Sequence, residues 1–342
     1  MVSSSSSLWE QCPASILTRG GSSALSSTTA LNSAVADSLE TQKPVEIFRK
    51  DYRPLPYTVS KVDMNFDIRN GKTIVTTKMT LQANPATNHG TLELDGDESA
   101  VKLMAISMDG KDLKEGEDYQ LKTGKLILLA PRDGSVIETI VEIIPEENTQ
   151  LSGLYKSGPM YCTQCEAMGF RRITYYPDRP DNMAVFEKVR IEADKEDYPI
   201  LLSNGNLLEE GDGEDGRHYA VWSDPFPKPS YLFATVAGNL GSIKDTFTTM
   251  SGRQVDLQLF SEKNNVDKLH YAMDSLKRSM KWDEDRFGLE YDLDLYNIVA
   301  VESFNMVRYG VFNSIVGLHM RLYPHKSIIS FHNNRVPWRT KV

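Results

Sequence analysis

The sequence predicts a mainly β protein, in which an antiparallel β-sandwich is followed by a region of mixed α and β structure. Three observations support this fold class. Apolar and polar residues alternate with a period of two from Lys43 to about Leu240, and turns rich in Gly, Asn and Asp interrupt the alternation. A helical period replaces it only after residue 240. Many short strands separated by tight turns are typical of a sandwich.

The first predicted hairpin shows this pattern most clearly. Apolar residues alternate from Val62 to Ile68, and Asn70-Gly71 supplies two residues that tolerate the positive φ of a tight turn. The returning strand is predicted over residues 74–81. Further strands are predicted where alternation or a short apolar run recurs, over residues 126–129, 137–143, 185–191, 200–202 and 219–222.

Residues 224–229 contain three prolines and end the alternating region. Each proline removes a backbone donor, so we expect a rigid bend near a domain boundary here, and no continuing ladder. Beyond the bend, apolar residues at helical spacing predict a helix over residues 266–280. Asn264 or Asn265 is the expected N-cap, and Gly288 lies past the helix end.

Two strands flank this helix, one predicted over residues 255–259 and a buried one over residues 293–301. Beyond residue 301 no periodicity is sustained. We therefore expect the strand over residues 293–301 to leave an unpaired edge, and the region past residue 240 to be poorly soluble.

These patterns divide the chain into four parts. Residues 1–42 form a Ser-rich leader, residues 43–240 an all-β domain, residues 241–316 the start of a mixed α/β domain, and residues 317–342 a basic tail. The first 40 residues hold twelve serines and four charged residues, so the leader has too little apolar surface to fold. A transit peptide and an unstructured tail both fit this composition, and a cytoplasmic or an organellar location follows accordingly.

The basic tail differs from the rest of the chain in charge. From Ser303 to Val342 there is no acidic residue, whereas there are six Lys or Arg residues and three of the six histidines, His319, His325 and His332. A basic arm that binds an acidic partner fits this composition. A segment that never evolved with the domains, such as the product of a shifted reading frame or a retained intron, fits it as well.

Composition excludes several classes of protein. Forty per cent apolar and 25% charged residues exclude collagen, rods and fully disordered chains, and the net charge of −9 disfavours nucleic acid as a partner. No run of about 18 apolar residues exists, so no membrane span is predicted. Three cysteines are too few for a disulfide framework. Cys162 and Cys165 lie three residues apart on a predicted extended segment, where their side chains face opposite sides. They are therefore expected to remain two separate thiols.

By spacing alone the chain shows no catalytic apparatus. The H-E-x-x-H, G-x-S-x-G, P-loop and Rossmann motifs are all absent from the sequence. Considered in isolation, Glu166 is expected to be a solvated residue on a strand, and Arg171, Arg172 and Asp178 are expected to form surface ion pairs.

The segment from Gln164 to Asp181, which reads QCEAMGFRRITYYPDRPD, gives more information. It resembles the aminopeptidase N family of zinc metallo-exopeptidases (gluzincins), and in particular the bacterial-type alanyl aminopeptidases. The resemblance implies a saddle-shaped antiparallel β-sandwich N-terminal domain, followed by the first, truncated part of a thermolysin-like α/β catalytic domain. It covers about residues 45–306 and continues over residues 201–206, 224–229, 231–238, 245–249, 275–277, 279–284, 287–294, 298–301 and 304–306.

In this family, zinc held by two histidines and a glutamate lowers the pKa of a bound water, and a second glutamate acts as general base. Acidic side chains bind the free α-amino group of the peptide. The resemblance implies that Glu166 is one of these acids, that Gln164 lines the pocket for the first side chain, and that Met306 forms a wall of that pocket. It also implies zinc as the cofactor and peptides with a free N-terminal amine as partners.

After Met306 the sequence departs from the family, because Val307-Arg308-Tyr309-Gly310 stands where a Gly-Ala-Met-Glu-Asn motif is expected. No metal ligand and no catalytic residue can be assigned in the chain. We therefore expect the N-terminal portion of a zinc aminopeptidase that is inactive by itself. The alternative is a non-catalytic β module that binds peptide amines. Within the family, the resemblance favours the substrate preference of an alanyl aminopeptidase, and that of a leukotriene-hydrolase-like enzyme is the second possibility.

Overall fold

The computed structural model describes Glu46, residues 48–301 and residues 327–331. The predicted leader, residues 1–42, therefore lies outside the described residues, and so does Met306. Of the basic tail only the short stretch at residues 327–331 is described. Both interpretations of the tail, a basic arm and a segment unrelated to the domains, therefore stay predictions.

The chain divides into two compact units, residues 1–53 and residues 54–342. In the first unit the described residues form a short 3-10 turn, Arg49–Asp51. Among its described residues the second unit has one α-helix, α1, which spans His270–Phe287. Its strands are, in chain order, β1 Tyr57–Arg69, β2 Lys72–Ala83, β3 Leu92–Asp95, β4 Lys102–Met108, β5 Lys111–Asp112, β6 Tyr119–Lys122, β7 Lys125–Leu128, β8 Val136–Ile143, β9 Gly153–Ser157, β10 Met160–Gln164, β11 Ala184–Asp194, β12 Ile200–Ser203, β13 Asn206–Asp212, β14 Arg217–Lys228, β15 Thr235–Gly238, β16 Leu240–Thr248, β17 Gln254–Glu262, β18 Leu295–Val301 and β19 Ser327–Phe331.

These strands form four sheets. The largest has eight strands in the order β13-β14-β11-β1-β2-β8-β4-β5, and its pairs are antiparallel except β1 with β11. A four-stranded antiparallel sheet has the order β12-β15-β10-β9, and a three-stranded one has the order β3-β7-β6. The fourth sheet, β16-β17-β18-β19, contains one parallel pair, β17 with β18. The prediction of a mainly β, largely antiparallel fold is confirmed.

The predicted first hairpin is confirmed in detail. Strands β1 and β2 pair from Tyr57 with Ala83 to Arg69 with Lys72, and Gly71 adopts φ +80° in the turn between them. One residue in two is buried along both strands, as the alternation requires. The buried side chains of these strands join one large hydrophobic cluster that extends through the eight-stranded sheet and the sheet containing β10.

The prediction of a bend at residues 224–229 is wrong in part, because β14 continues through two prolines to Lys228. The neighbouring strand β13 pairs with β14 only as far as Ser223. Beyond that point β14 pairs with β11 alone, in an irregular register that links Phe186 with Asp224 and Ala184 with Lys228. A strand with a partner on one side tolerates proline, because the missing N–H faces no second ladder.

The helix after β17 is confirmed, but its start differs from the prediction. Residues Lys263–Leu269 form a 3-10 helix that leads into α1, so neither asparagine acts as a side-chain cap of the α-helix. At the other end Gly288 adopts φ +66°, and its N–H donates to the Glu284 carbonyl at 2.9 Å, as predicted. The buried face of α1 packs in a second hydrophobic cluster with β17 and β18.

The expected unpaired edge of β18 is not observed, because β19 pairs with it antiparallel over residues 297–301. Five tail residues supply the backbone groups that the edge requires. Among the described helices none is long and apolar enough to cross a membrane. The domain boundary near residue 240, where β16 begins, stays a prediction.

Candidate functional site

Gln164 and Glu166 lie together at the end of β10. This strand is buried along its whole length and pairs with β9 on one side and β15 on the other. It ends at Gln164, and the chain then forms a short loop of residues 165–169, which we call the Glu166 loop. The three middle residues of the loop are exposed, whereas its two end residues are buried. The Glu166 side chain is therefore presented by a segment that is fixed at both ends.

Short hydrogen bonds close the backbone of the Glu166 loop. The Gly169 N–H donates to the Cys165 carbonyl at 2.8 Å, and Gln164 Nε2 donates to the Glu166 carbonyl at 3.3 Å. The peptide bond between Glu166 and Ala167 is cis. Because the Gln164 side chain is only 6% exposed, its amide forms part of the buried base of the loop.

The buried end of the loop has no room for a side chain. A Cβ on Gly169 would lie 2.3 Å from the Gln164 carbonyl oxygen and 2.9 Å from the backbone nitrogen of Gly153. Gly153, the first residue of β9, adopts φ +78° in the left-handed region that favours glycine. The two glycines therefore allow the loop to lie directly against β9.

The Glu166 carboxylate has no ion-pair partner within residues 46 and 48–301. The two arginines that follow it most closely in sequence, Arg171 and Arg172, are both paired with other carboxylates. An exposed carboxylate that no internal cation neutralises retains its capacity to bind a positively charged group from outside.

Asp178 is buried and pairs with a half-buried Arg171, so the prediction of a surface ion pair is wrong for Asp178. The Asp178 side chain is 1% exposed. Its Oδ2 accepts hydrogen bonds from the Arg171 backbone N–H and from Arg171 Nε, both at 3.1 Å, and its Oδ1 accepts one from the Ser230 hydroxyl at 2.5 Å. Arg171 also donates to the Asp178 carbonyl at 3.0 Å and lies 3.5 Å from Asp95.

Arg172 is held in the same way by different partners, and it is not a surface residue either. Its side chain is 9% exposed, its Nε donates to the Ser152 carbonyl at 3.1 Å, and it forms an ion pair with Asp97. The Asp97 N–H in turn donates to the Arg171 carbonyl at 2.9 Å. The sequence signal that could have revealed this burial is the mainly apolar run Ile173-Thr174-Tyr175-Tyr176, all of which is buried.

A cluster of aromatic rings packs around the residue that follows the Glu166 loop. Phe170 belongs to the 3-10 turn Phe170–Arg172 that follows the Glu166 loop, and it is fully buried. Its ring meets Tyr176, Phe186 and Phe233 edge to face, at centroid distances of 4.9, 5.9 and 5.3 Å. Such contacts stabilise one orientation of the turn.

The two cysteines near the loop are free thiols, which confirms the prediction that they are separate. Both are buried. Burial raises the pKa of the Cys162 thiol to about 12. Burial also raises the pKa of Cys165 well above its usual value, with a smaller contribution from the negative charge of Asp178. Neither thiol is therefore ionised near neutral pH, which leaves both of them poor nucleophiles and poor metal ligands.

No group of three or more His, Cys, Asp or Glu side chains that could hold a metal ion occurs within the described ranges. The residues present there do not fit a zinc ion. The site that the structure defines is therefore a carboxylate on a rigid loop, with a buried glutamine beside it.

Comparison with known proteins gives one family throughout. The model of the peptidase M1 N-terminal domain matches residues 54–232. Aminopeptidase N of Escherichia coli strain K12 is 47% identical over 270 residues, and that of Caulobacter vibrioides is 48% identical over 267 residues. Each alignment covers 78% of this chain but 30% of the relative, so the chain spans about a third of the length of these curated relatives.

Solved structures agree with this result. Legionella pneumophila aminopeptidase A, determined in complex with aspartic acid, superimposes with a TM-score of 0.71 at 35% identity, over 75% of this chain and 30% of that one. An M1 zinc metallopeptidase mutant from Deinococcus radiodurans, bound to a Tyr-Ser-Ala substrate, superimposes with a TM-score of 0.59 over 71% of this chain and 56% of that one. At 16% identity the second match shows the shared fold alone.

Proposed function

Because the chain belongs to the peptidase M1 family, we propose that it forms the N-terminal part of a zinc aminopeptidase and that Glu166 binds the α-amino group of the peptide. One observation carries the proposal: the Glu166 carboxylate is exposed on a fixed loop and has no ion-pair partner within residues 46 and 48–301. A carboxylate presented in this way accepts charge-assisted hydrogen bonds from an ammonium group.

The rigid loop contributes to this role through entropy. The hydrogen bonds from Gly169 and Gln164 fix the backbone on both sides of Glu166, so little further order is required when an amine binds. An acylated amine carries no charge and donates fewer hydrogen bonds, so the same carboxylate discriminates a free amino terminus from the interior of a peptide. This discrimination is the property that an exopeptidase requires.

Gln164 and Met306 complete the proposal, with Gln164 lining the pocket for the first side chain and Met306 forming a wall of that pocket. Zinc, which is expected for the family, lowers the pKa of a bound water when it is present. The described residues provide no ligand set for it. The contribution proposed for Gln164 and Glu166 is therefore to bind and orient the substrate.

The experiment is a hybrid enzyme, in which the aligned 270-residue segment of E. coli aminopeptidase N is replaced by the matching segment of this chain. Hydrolysis of an alanyl p-nitroanilide gives kcat and KM. We expect the hybrid to be active and Glu166→Gln to raise KM. A hydrogen bond to a charged group contributes about 1.5–3 kcal/mol, which corresponds to a rise of roughly ten- to hundredfold.

Glu214→Gln is the matched control, because Glu214 is also exposed and lies on the turn before β14. It should leave KM unchanged. Equal kinetics for Glu166→Gln and Glu214→Gln would refute the role of Glu166. A second measurement uses the 342-residue chain by itself. Binding of a free-amino peptide that N-acetylation abolishes, without turnover in the presence of zinc, would favour the alternative of a peptide-binding module.

A further inference from the structure

The strongest unexplained feature near the Glu166 loop is the Asp178 carboxylate. It is a charged group whose side chain is 1% exposed, and a buried charge is costly unless it is paired and hydrogen-bonded. Asp178 is neither at the surface nor part of a metal cluster within the described residues. Its hydrogen bonds go to Arg171 and to Ser230, two residues that are 59 positions apart in sequence.

These hydrogen bonds place Asp178 at the base of the loop. Arg171 lies two residues after Gly169, which is the last residue of the Glu166 loop. The backbone N–H and the side chain of Arg171 both donate to Asp178. Ser230 begins the short 3-10 turn Ser230–Leu232, and its hydroxyl donates to the other carboxylate oxygen. Asp178 thereby connects the end of the loop to a distant turn through a single carboxylate.

The ion pair has a second consequence for Glu166. Arg171 is the cation closest to Glu166 in sequence, and a free guanidinium there would compete with an incoming ammonium for the Glu166 carboxylate. Arg171 donates from Nε to the Asp178 carboxylate and from its terminal nitrogen to the Asp178 backbone carbonyl, and Asp95 lies 3.5 Å away as a second carboxylate. Asp178 therefore holds the end of the loop and also supplies the closer of the two carboxylates that hold Arg171.

We propose that Asp178 is a positioning residue for amine binding, which holds the Glu166 loop through Arg171 and Ser230 and keeps Arg171 away from Glu166. This inference rests on the proposed role of Glu166. Asp178 does not touch the substrate in this arrangement, and it acts through the two residues that it binds.

Cys165 provides a direct measure of the loop position in the full chain. Its thiol is buried at the start of the loop, so a thiol reagent reaches it only when the loop opens. We expect Asp178→Asn and the milder Ser230→Ala to speed labelling of Cys165 by about tenfold or more, as the loss of a charged hydrogen bond implies. Asp181→Asn is the matched control, because Asp181 lies three residues away in an exposed ion pair with Arg179. Mass spectrometry assigns the label to each cysteine.

The kinetic arm uses the hybrid enzyme. Asp178→Asn and Ser230→Ala should raise KM for the alanyl substrate with little change in kcat, whereas Asp181→Asn should change neither. Ser230→Ala keeps the experiment decisive if Asp178→Asn fails to fold, since it removes one donor and leaves the ion pair in place.

Two results would overturn the inference, and a third result would show instead that the proposed function has failed. Unchanged Cys165 labelling in both variants would show that Asp178 does not hold the loop. Faster labelling with an unchanged KM, while Glu166→Gln still raises KM, would show that the loop position is irrelevant to binding. A normal KM for Glu166→Gln itself would overturn the function first, and the labelling rates would then report only on the loop.

Discussion

Replacing Gly169 with alanine tests the rigidity of the Glu166 loop most directly. Gly169 has φ −85° and ψ −18°, a conformation that any residue adopts, so alanine has no difficulty with the backbone angles themselves. The added methyl group would lie 2.3 Å from the Gln164 carbonyl oxygen, 2.9 Å from Cys165 Cα and 2.9 Å from the Gly153 nitrogen. All three are backbone atoms, so no side chain can rotate away to relieve the contact.

The expected loss follows from these distances. The methyl group overlaps its three neighbours so strongly that the loop must move away from β9, which also weakens the hydrogen bond from Gly169 to Cys165. Overpacking costs about 1–3 kcal/mol, and a lost hydrogen bond adds about 1 kcal/mol. We therefore expect Gly169→Ala to lower the free energy of unfolding by about 3 kcal/mol. For a domain of this size the melting temperature should fall by roughly 6–12 °C.

The assay is thermal unfolding of the full chain followed by circular dichroism, with Gly90→Ala as the control. Gly90 has no atom within 4 Å of an added Cβ and no left-handed φ, so alanine there should be neutral or slightly stabilising. In the hybrid enzyme Gly169→Ala should also raise KM. If Gly169→Ala and Gly90→Ala have the same melting temperature, the loop accommodates the methyl group without loss of stability, and the reasoning from its close packing is wrong.

Three further predictions concern stability away from the loop. Burial raises the pKa of Asp283 to about 6, so the folded state binds this proton more tightly and stability falls as pH rises from about 4 to 7. Asp283→Asn should remove this loss and raise the free energy of unfolding at pH 7 by about 1 kcal/mol after solvent screening is considered. Denaturant titrations at pH 4 and pH 7 would measure the difference. Lys228→Met should destabilise by about 3–5 kcal/mol, because it leaves the Asp224 carboxylate buried without its cation, and adding Asp224→Asn should recover part of the loss in urea unfolding. Glu284→Ala should speed hydrogen exchange at the Met250 N–H, which donates to the Glu284 carboxylate at 2.8 Å, whereas Glu284→Gln should retain most of the protection.

The alternating strands could be predicted because one face of each is buried. In β1 and β2 the buried and less buried positions alternate almost without interruption, so hydrophobic period and structure coincide. The extension of β14 through its prolines could not be predicted, because it depends on where the neighbouring strand β13 ends. The pairing of β19 with β18 could not be predicted either, because the two strands are more than 25 residues apart and neither carries a local sequence pattern that indicates its partner.

The candidate site shows the same limit more sharply. Isolated sequence reasoning gives Glu166 no role, and only the resemblance of the surrounding segment indicates one. Asp178 looks like a surface charge in the sequence because one of its buried hydrogen-bond partners, Ser230, is 52 positions away. Local patterns report periodicity within a segment, whereas a buried ion pair is decided by which distant segment covers it.

The arrangement of charges around the loop explains how a binding carboxylate can remain available beside two arginines. Arg171 and Arg172 follow Glu166 within six residues in sequence, and an unrestrained guanidinium that reached the Glu166 carboxylate would neutralise it. Arg171 instead pairs with Asp178 and Asp95, and Arg172 pairs with Asp97. Both arginines thus have internal carboxylates as partners, whereas Glu166 has no ion-pair partner within residues 46 and 48–301. Asp97→Asn should therefore raise KM in the hybrid enzyme even if the loop keeps its shape, because Arg172 then loses its paired carboxylate and competes for Glu166.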